Sequence, residues 1–187
     1  TLMRSSAASD VYKRQMKKRI PMAILAIIIL TALDQLVKHL ISTNFQVGQT
    51  RKIIDGVFQL NYVQNRGAAW GSFSGKIVFL LAITFVILLA AIYVYIRLAG
   101  NQEKKYTPLR ISLVFLISGA VGNMIDRVAR GYVVDMFDFC LINFPVFNVA
   151  DIFVTCSFIV IVILVLFKYK DDELSEIIHQ KQTDGQE

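Results

Sequence analysis

The sequence predicts a mainly α membrane protein: a four-helix transmembrane bundle with a small extracytoplasmic β-sheet. Three observations predict it. Four apolar stretches are each long enough to cross a bilayer. Basic residues flank those stretches instead of clustering. One connecting segment alternates apolar and polar residues around an Asp-Gly pair. The 187 residues are 55% hydrophobic, more than a soluble domain of this length readily buries, and the mean hydropathy is positive. A formal net charge of +6 would also suit a nucleic-acid binder. The cations border apolar runs and form no basic, aromatic-studded surface, so no nucleic-acid partner is expected. Cys140, in a loop, and Cys156, in an apolar run, read as two unpaired thiols.

Residues 1–15 show neither period nor apolar run, while Met16 is followed by Lys17-Lys18-Arg19. They read as a non-native or disordered extension. The membrane domain is expected over residues 16–170, with its β segment at about 45–72, and 171–187 as a polar cytoplasmic tail. The first span, Ile20–Ile41, covers a hydrocarbon core of roughly 30 Å at about 1.5 Å per residue. It lacks the small-residue cleavage site of a signal peptide and stays apolar through Leu36, Val37, Leu40 and Ile41. Ile77–Ile96 is interrupted only by Thr84; Leu109–Ile125 is shorter and ends in polar residues; Ile152–Phe167 carries no charge. Between the first two spans, Arg51–Ile54 and Val57–Val63 flank Asp55-Gly56, a tight-hairpin signal. There Phe58, Leu60 and Tyr62 alternate with Gln59 and Asn61, as in a half-buried strand.

Four spans put both termini on one side. Lys17, Lys18 and Arg19, the connection carrying Arg97, Lys104, Lys105 and Arg110, and Lys168 and Lys170 assign that side to the cytoplasm. Arg51, Lys52, Arg66 and Lys76 on the other side temper the bias.

Polar residues inside or beside the spans are costly and mark functional positions. Asp34 lies in the first span, one turn before Lys38. It either pairs with Lys38, which would snorkel outward, or faces the bundle as part of a polar site. In the third span Ser118 and Gly122 form a small-xxx-small pair, and Asn123, Asp126 and Arg127 share one helix face. There Arg127 is expected to neutralise a carboxylate and Asn123 to hydrogen-bond it. Asn148 and Asp151 open the fourth span, where Asn148 suits an N-cap. Capping alone does not account for Asp34, Asn65, Asp126, Arg127, Asp135, Asn148 and Asp151 all falling at one membrane face. His39 and His179 are isolated, so no metal is expected, and no serine or cysteine has an evident base. Aspartates remain. A close pair shares one proton, so one member can activate water while the other protonates a carbonyl oxygen. Asp135, Asp138 and Asp151 are candidates for such a pair, the first two on the connection between the third and fourth spans.

Five ordered motifs carry a resemblance: Asp34-Gln35-Leu36-Val37-Lys38, Asn65-Arg66-Gly67-Ala68-Ala69-Trp70, Gly119 through Arg127, Val133-Val134-Asp135 and Phe147-Asn148-Val149-Ala150-Asp151. Over Met16 to about Lys170 the chain resembles the prolipoprotein signal peptidase (signal peptidase II) family. Trp70 departs mildly from a motif that often ends in Phe. The resemblance implies a multi-pass aspartyl protease of the bacterial cytoplasmic (inner) membrane, acting near its extracytoplasmic face without cofactor. Its implied partners are lipidated prolipoprotein substrates and membrane lipids, with the enzyme a monomer. The signal peptide would be removed just before a diacylglyceryl-modified cysteine. Asp135 and Asp151 match the catalytic dyad. Asp34, Lys38, Asn65, Gly67, Asn123, Asp126, Arg127 and Asn148 match the surrounding polar shell, with Asn65 and Arg127 toward substrate backbone. The chain before Tyr62 and the loop around Phe137–Phe147 are expected to clamp the substrate. A small transporter or proton relay would also use intramembrane Asp, Asn and Arg, but needs a polar path through the apolar cytoplasmic halves. A non-catalytic chaperone for lipidated precursors is the third reading.

Overall fold

The computed structural model describes residues 2–67, 75–170 and Glu173, with 2–11 described by backbone alone. Four helices run α1 (Leu2–Asn44), α2 (Ile77–Ala99), α3 (Thr107–Arg130) and α4 (Val149–Phe167), and three strands run β1 (Thr50–Ile54), β2 (Phe58–Asn65) and β3 (Val133–Asp138). Each helix contains a stretch long and apolar enough to span a membrane. α1 extends back through residues 2–15, which the sequence sets apart, and the ring of Tyr12 covers Gly100 beyond the end of α2. Trp70 and most of the 171–187 tail lie outside the described residues.

α3 is the central helix. In its most apolar window 61% of residues are buried inside the protein, against 17% in each of the other three. Its mean hydropathy, 1.5, is also the lowest of the four. The two facts have one cause: a helix facing its neighbours instead of lipid can carry Ser112, Ser118, Asn123 and Asp126, all buried. The other helices turn large apolar side chains outward, among them Val78, Phe158 and Phe167, as contact with hydrocarbon requires. α3 packs against α1, α2 and α4. At its contact with α4, a Cβ on Gly119 would overlap the Ala150 carbonyl and lie 2.9 Å from Val154. One turn later, a Cβ on Gly122 would lie 2.5 Å from Asp34 Oδ2. The expected small-residue contact is therefore made by Gly119 and Gly122. Ser118, fully buried, instead turns its hydroxyl to the Val114 carbonyl and accepts from Thr31 at its own carbonyl.

The strands form one antiparallel sheet in the order β1-β2-β3. The predicted hairpin forms, turning at Asp55-Gly56 with Gly56 at φ 69°. β3 is a correction. Asp135 and Asp138, read as loop residues, occupy a strand paired with β2, with Val63 opposite Asp135 and Gln59 opposite Asp138. Val134 and Met136 alternate with Asp135 and bury against Tyr62 and Ile41, which seats the sheet on the end of α1. Gly131, at φ 74°, ends α3 and turns the chain into β3.

Alanine at Gly119 or Gly122 gains helix propensity but overpacks the α3 contact with α1 and α4. Each variant is expected to lose about 1–3 kcal/mol, read as a lower melting temperature in detergent, while Ala at lipid-facing Val128 leaves it unchanged.

Candidate active site

The polar residues singled out in the sequence meet where α1, α3, the sheet and the start of α4 converge. At their centre Lys38 is fully buried, with its ammonium 2.9 Å from Asp34 Oδ2, 3.2 Å from Asp126 Oδ2 and 2.9 Å from Asn123 Oδ1. The i,i+4 pair of Asp34 and Lys38 thus forms, but the lysine does not snorkel. It satisfies its three donors inside the protein.

Both carboxylates extend the network to backbone. Asp34 Oδ1 accepts from Ala150 N at 2.9 Å in the first turn of α4, and Asp126 Oδ2 accepts from Val134 N at 3.1 Å in β3. Gln35, adjacent to Asp34 in sequence, braces it at 3.2 Å and donates to the Gly122 carbonyl. Arg127 lies close enough to Asp151, Asp135 and Asp126 for its charge to act on them, but the direct ion pair with Asp126 is made by another cation. Lys38 is paired with Asp126, and Arg127 donates to the Gly67 carbonyl at 3.2 Å. The remaining oxygen, Asp126 Oδ1, has no hydrogen bond among the described residues, and Arg130 Nε stands 3.8 Å away.

Three asparagines face the two candidate carboxylates, and each is oriented by a fixed donor on its oxygen. Because an ammonium can only donate, Asn123 must turn Oδ1 to Lys38, so its NH2 donates to Asp151 Oδ1 at 2.7 Å. Asn148 is the N-cap of α4 and accepts from Asp151 N at 3.0 Å, so its NH2 donates to Asp135 Oδ1 at 2.6 Å and to Asn123 Oδ1 at 3.2 Å. Asp151 Oδ2 returns the cap by accepting from Asn148 N at 3.1 Å. Asn65 accepts from Gly67 N at 2.9 Å, so its NH2 donates to Asp135 Oδ2 at 2.9 Å. Asp135 and Asp151 therefore receive amide donors from both sides and are linked through Asn148 and Asn123. Asp138 is not part of this group, because Gln59 and Asn61 hold its carboxylate at 2.7 and 3.1 Å on the sheet.

Asp135 is only 1% exposed. Burial, and then the neighbouring Asp151 charge, push its pKa up to about 7 against the hydrogen bonds from Asn65 and Asn148 and the Lys38 charge. Holding its proton to a higher pH in the folded than in the unfolded chain, Asp135 costs the fold stability as pH rises from about 4 to 7.

Both carboxylates line a cavity of about 450 Å3, with Asn65, Asn123 and Arg127. Its outer wall includes Phe144 and Phe147, while Ile152, Thr155 and Cys156 continue it onto the exposed side of α4. The sequence reading missed these α4 residues; only Thr155, four positions after Asp151, shares its helix face, while Ile152 and Cys156, four apart, lie on an adjacent one. The loop before α4 is stapled to β3 by reciprocal bonds of 2.8 and 3.0 Å between Phe147 and Phe137. Phe58, expected in a clamp, packs at a tilt against Phe137 and Phe139, and Tyr62 is buried with Ile41, Val134 and Met136.

Fold and site together define a polytopic membrane protein with a carboxylate centre at one end of its bundle. The signal peptidase (SPase) II family matches residues 26–167. The lipoprotein signal peptidase of Lactococcus lactis subsp. lactis is 41% identical over 152 residues, covering 81% of this chain and 96% of that protein. That of Streptococcus thermophilus is 43% identical over 152 residues, covering 81% and 94%. A solved structure of a bacterial membrane enzyme aligns with a TM-score of 0.69 at 31% identity, over 89% of this chain and 96% of that one. A second aligns with a TM-score of 0.68 at 34% identity, over 80% and 96%. The chain belongs to the signal peptidase II family and is a multi-pass membrane protease.

Removing the central cation leaves Asp34 and Asp126 buried without compensation. Lys38→Met is expected to lose about 3–5 kcal/mol, and adding Asp34→Asn to recover part of it, both measured by thermal unfolding in detergent.

Proposed function

We propose that this protein removes the signal peptide from diacylglyceryl-modified prolipoproteins, cutting just before the lipidated cysteine with Asp135 and Asp151 as an aspartyl dyad. One observation carries the reading: two linked carboxylates, each held by amide donors, line one cavity that opens along the exposed face of α4. That opening suits a substrate arriving sideways from the bilayer with its acyl chains still in lipid. Family membership supports the substrate class.

In this mechanism the pair holds one proton near neutral pH, because two carboxylates in one buried site do not both ionise readily. The ionised member takes a proton from water as the water attacks the scissile carbonyl. The other member protonates the carbonyl oxygen, giving a tetrahedral intermediate without an acyl-enzyme. Collapse returns a proton to the departing amine. Asn65 and Arg127, on the same cavity wall, hold the substrate backbone. Lys38, Asp34, Asn123, Asp126 and Asn148 keep the dyad in position, and Gly67 orients Asn65. The Phe144–Phe147 segment covers the cut site against bulk water. The protein works as a monomer in contact with membrane lipids. Its termini are cytoplasmic and its dyad lies near the extracytoplasmic face, as the basic residues at the opposite end of the bundle favour.

Purified protein is expected to cut a lipidated precursor and leave the unlipidated form intact. Asp135→Asn and Asp151→Asn should each lower kcat by at least about 10²-fold while melting cooperatively. Full activity in either variant would remove the dyad from the mechanism. The pH profile carries a second expectation. Since Asp135 holds its proton up to about pH 7, kcat/KM should fall as pH rises through that value, with a slope of one proton. A flat profile from pH 6 to 9 would contradict a shared proton.

A further inference from the structure

The end of the bundle away from the carboxylates holds a second cavity, of about 560 Å3, between α1 and α3. Its depth is apolar, reaching Ala26 and Ile29 on α1 and Phe115 on α3. Its rim is cationic, with Arg19 and Arg110 both lining it. The sequence reading counted Arg110 among the cations of the connection between α2 and α3. It lies instead in the first turns of α3 and is only 7% exposed.

Among the described residues, every bond these two guanidinium groups make goes to a neutral oxygen. Arg110 donates to the carbonyls of Leu98 at 3.2 Å and Asn101 at 3.0 Å, to that of Glu103 at 3.4 Å, and to Thr107 Oγ1 at 2.8 Å. Arg19 donates to the Ala99 carbonyl at 3.2 Å and shares the Asn101 carbonyl with Arg110. Among the described residues no carboxylate pairs with either arginine, and Glu103 is engaged by Lys105 at 2.7 Å. Two positive charges thus meet at one carbonyl, at the mouth of an apolar groove, without a counter-charge among the described residues. Ten residues of helix separate Arg19 from Ile29, about 15 Å of rise. That is half of a hydrocarbon core of roughly 30 Å, the depth of one leaflet.

We propose that this groove binds an anionic phospholipid of that leaflet, its phosphate on Arg19 and Arg110 and an acyl chain between α1 and α3. A zwitterionic headgroup would bring its own cation to two uncompensated guanidinium groups, and an apolar peptide helix would leave them unpaired. The bound lipid would tie α1 and α3 to the end of α2, on the side of the bundle that the carboxylate network does not brace. The site is independent of the dyad, and peptide cleavage is not its readout.

The test titrates the purified protein with phosphatidylglycerol, with phosphatidylcholine of the same chains and with inorganic phosphate, following bound lipid by native mass spectrometry and stability by thermal melts. Each cation contributes about fivefold, so phosphatidylglycerol should bind at least about tenfold tighter than phosphatidylcholine and raise the melting temperature, whereas inorganic phosphate should not raise it. Arg19→Gln is expected to weaken phosphatidylglycerol about fivefold. Ala26→Phe, which narrows the groove without touching either cation, should weaken it at least as much. Equal affinities for the two lipids in the unaltered protein would overturn the proposal. So would phosphatidylglycerol binding unchanged in both variants, or inorganic phosphate stabilising the protein as well as the lipid does.

Discussion

The Lys38 ammonium offers donors only, and the residues around it are arranged by that restriction. Two carboxylates and one amide oxygen surround it in a site with no exposure. Burying such a charge is expensive, and only complete satisfaction of its donors offsets the loss of water. The pairing also carries direction. It turns the Asn123 amide so that its NH2 faces Asp151, and it holds Asp34 and Asp126, which bind the backbone of α4 at Ala150 and of β3 at Val134. A cation on α1 thereby sets the position of the two elements that carry Asp151 and Asp135.

The same logic recurs in the asparagines. An asparagine amide could face a carboxylate with either end, and only its NH2 is useful there. At each of the three positions a fixed donor occupies the oxygen: the Lys38 ammonium for Asn123, the α4 N-cap for Asn148, and the Gly67 N–H for Asn65. Capping and site-building are therefore one act at Asn148. The bond that starts α4 also aims an N–H at Asp135. Such preorganisation lets a buried carboxylate hold its geometry without a rigid loop around it. The central position of α3 makes this possible, because a helix shielded from lipid can carry Asn123 and Asp126, and glycines at 119 and 122 let α1 and α4 close on them.

Much of the architecture was legible in the chain. The spans follow from apolar length, the hairpin from Asp55-Gly56 between alternating residues, and the cap from Asn148 at the head of the last apolar run. Strand β3 was not legible, since Val133–Asp138 is short and pairs with a strand some 70 residues earlier. A non-local partner leaves no local period to read. The choice of cation was hidden for a related reason. Arg127 stands next to Asp126 in sequence, yet Lys38, 88 positions away, reaches its carboxylate because α1 crosses α3 there.

The sequence by itself determined four spans, the residue types of the polar centre and their gathering at one end of the bundle, because hydrocarbon penalises every polar group that lacks a partner. Only the tertiary structure decided which partner each group takes. Hydrogen-bond direction and pairing depend on atoms a few ångströms apart, brought there by helices and strands far separated along the chain. Asp135 faces Asn65 and Asn148, Asp138 faces Gln59 and Asn61, and that difference in surroundings distinguishes two aspartates that stand three residues apart.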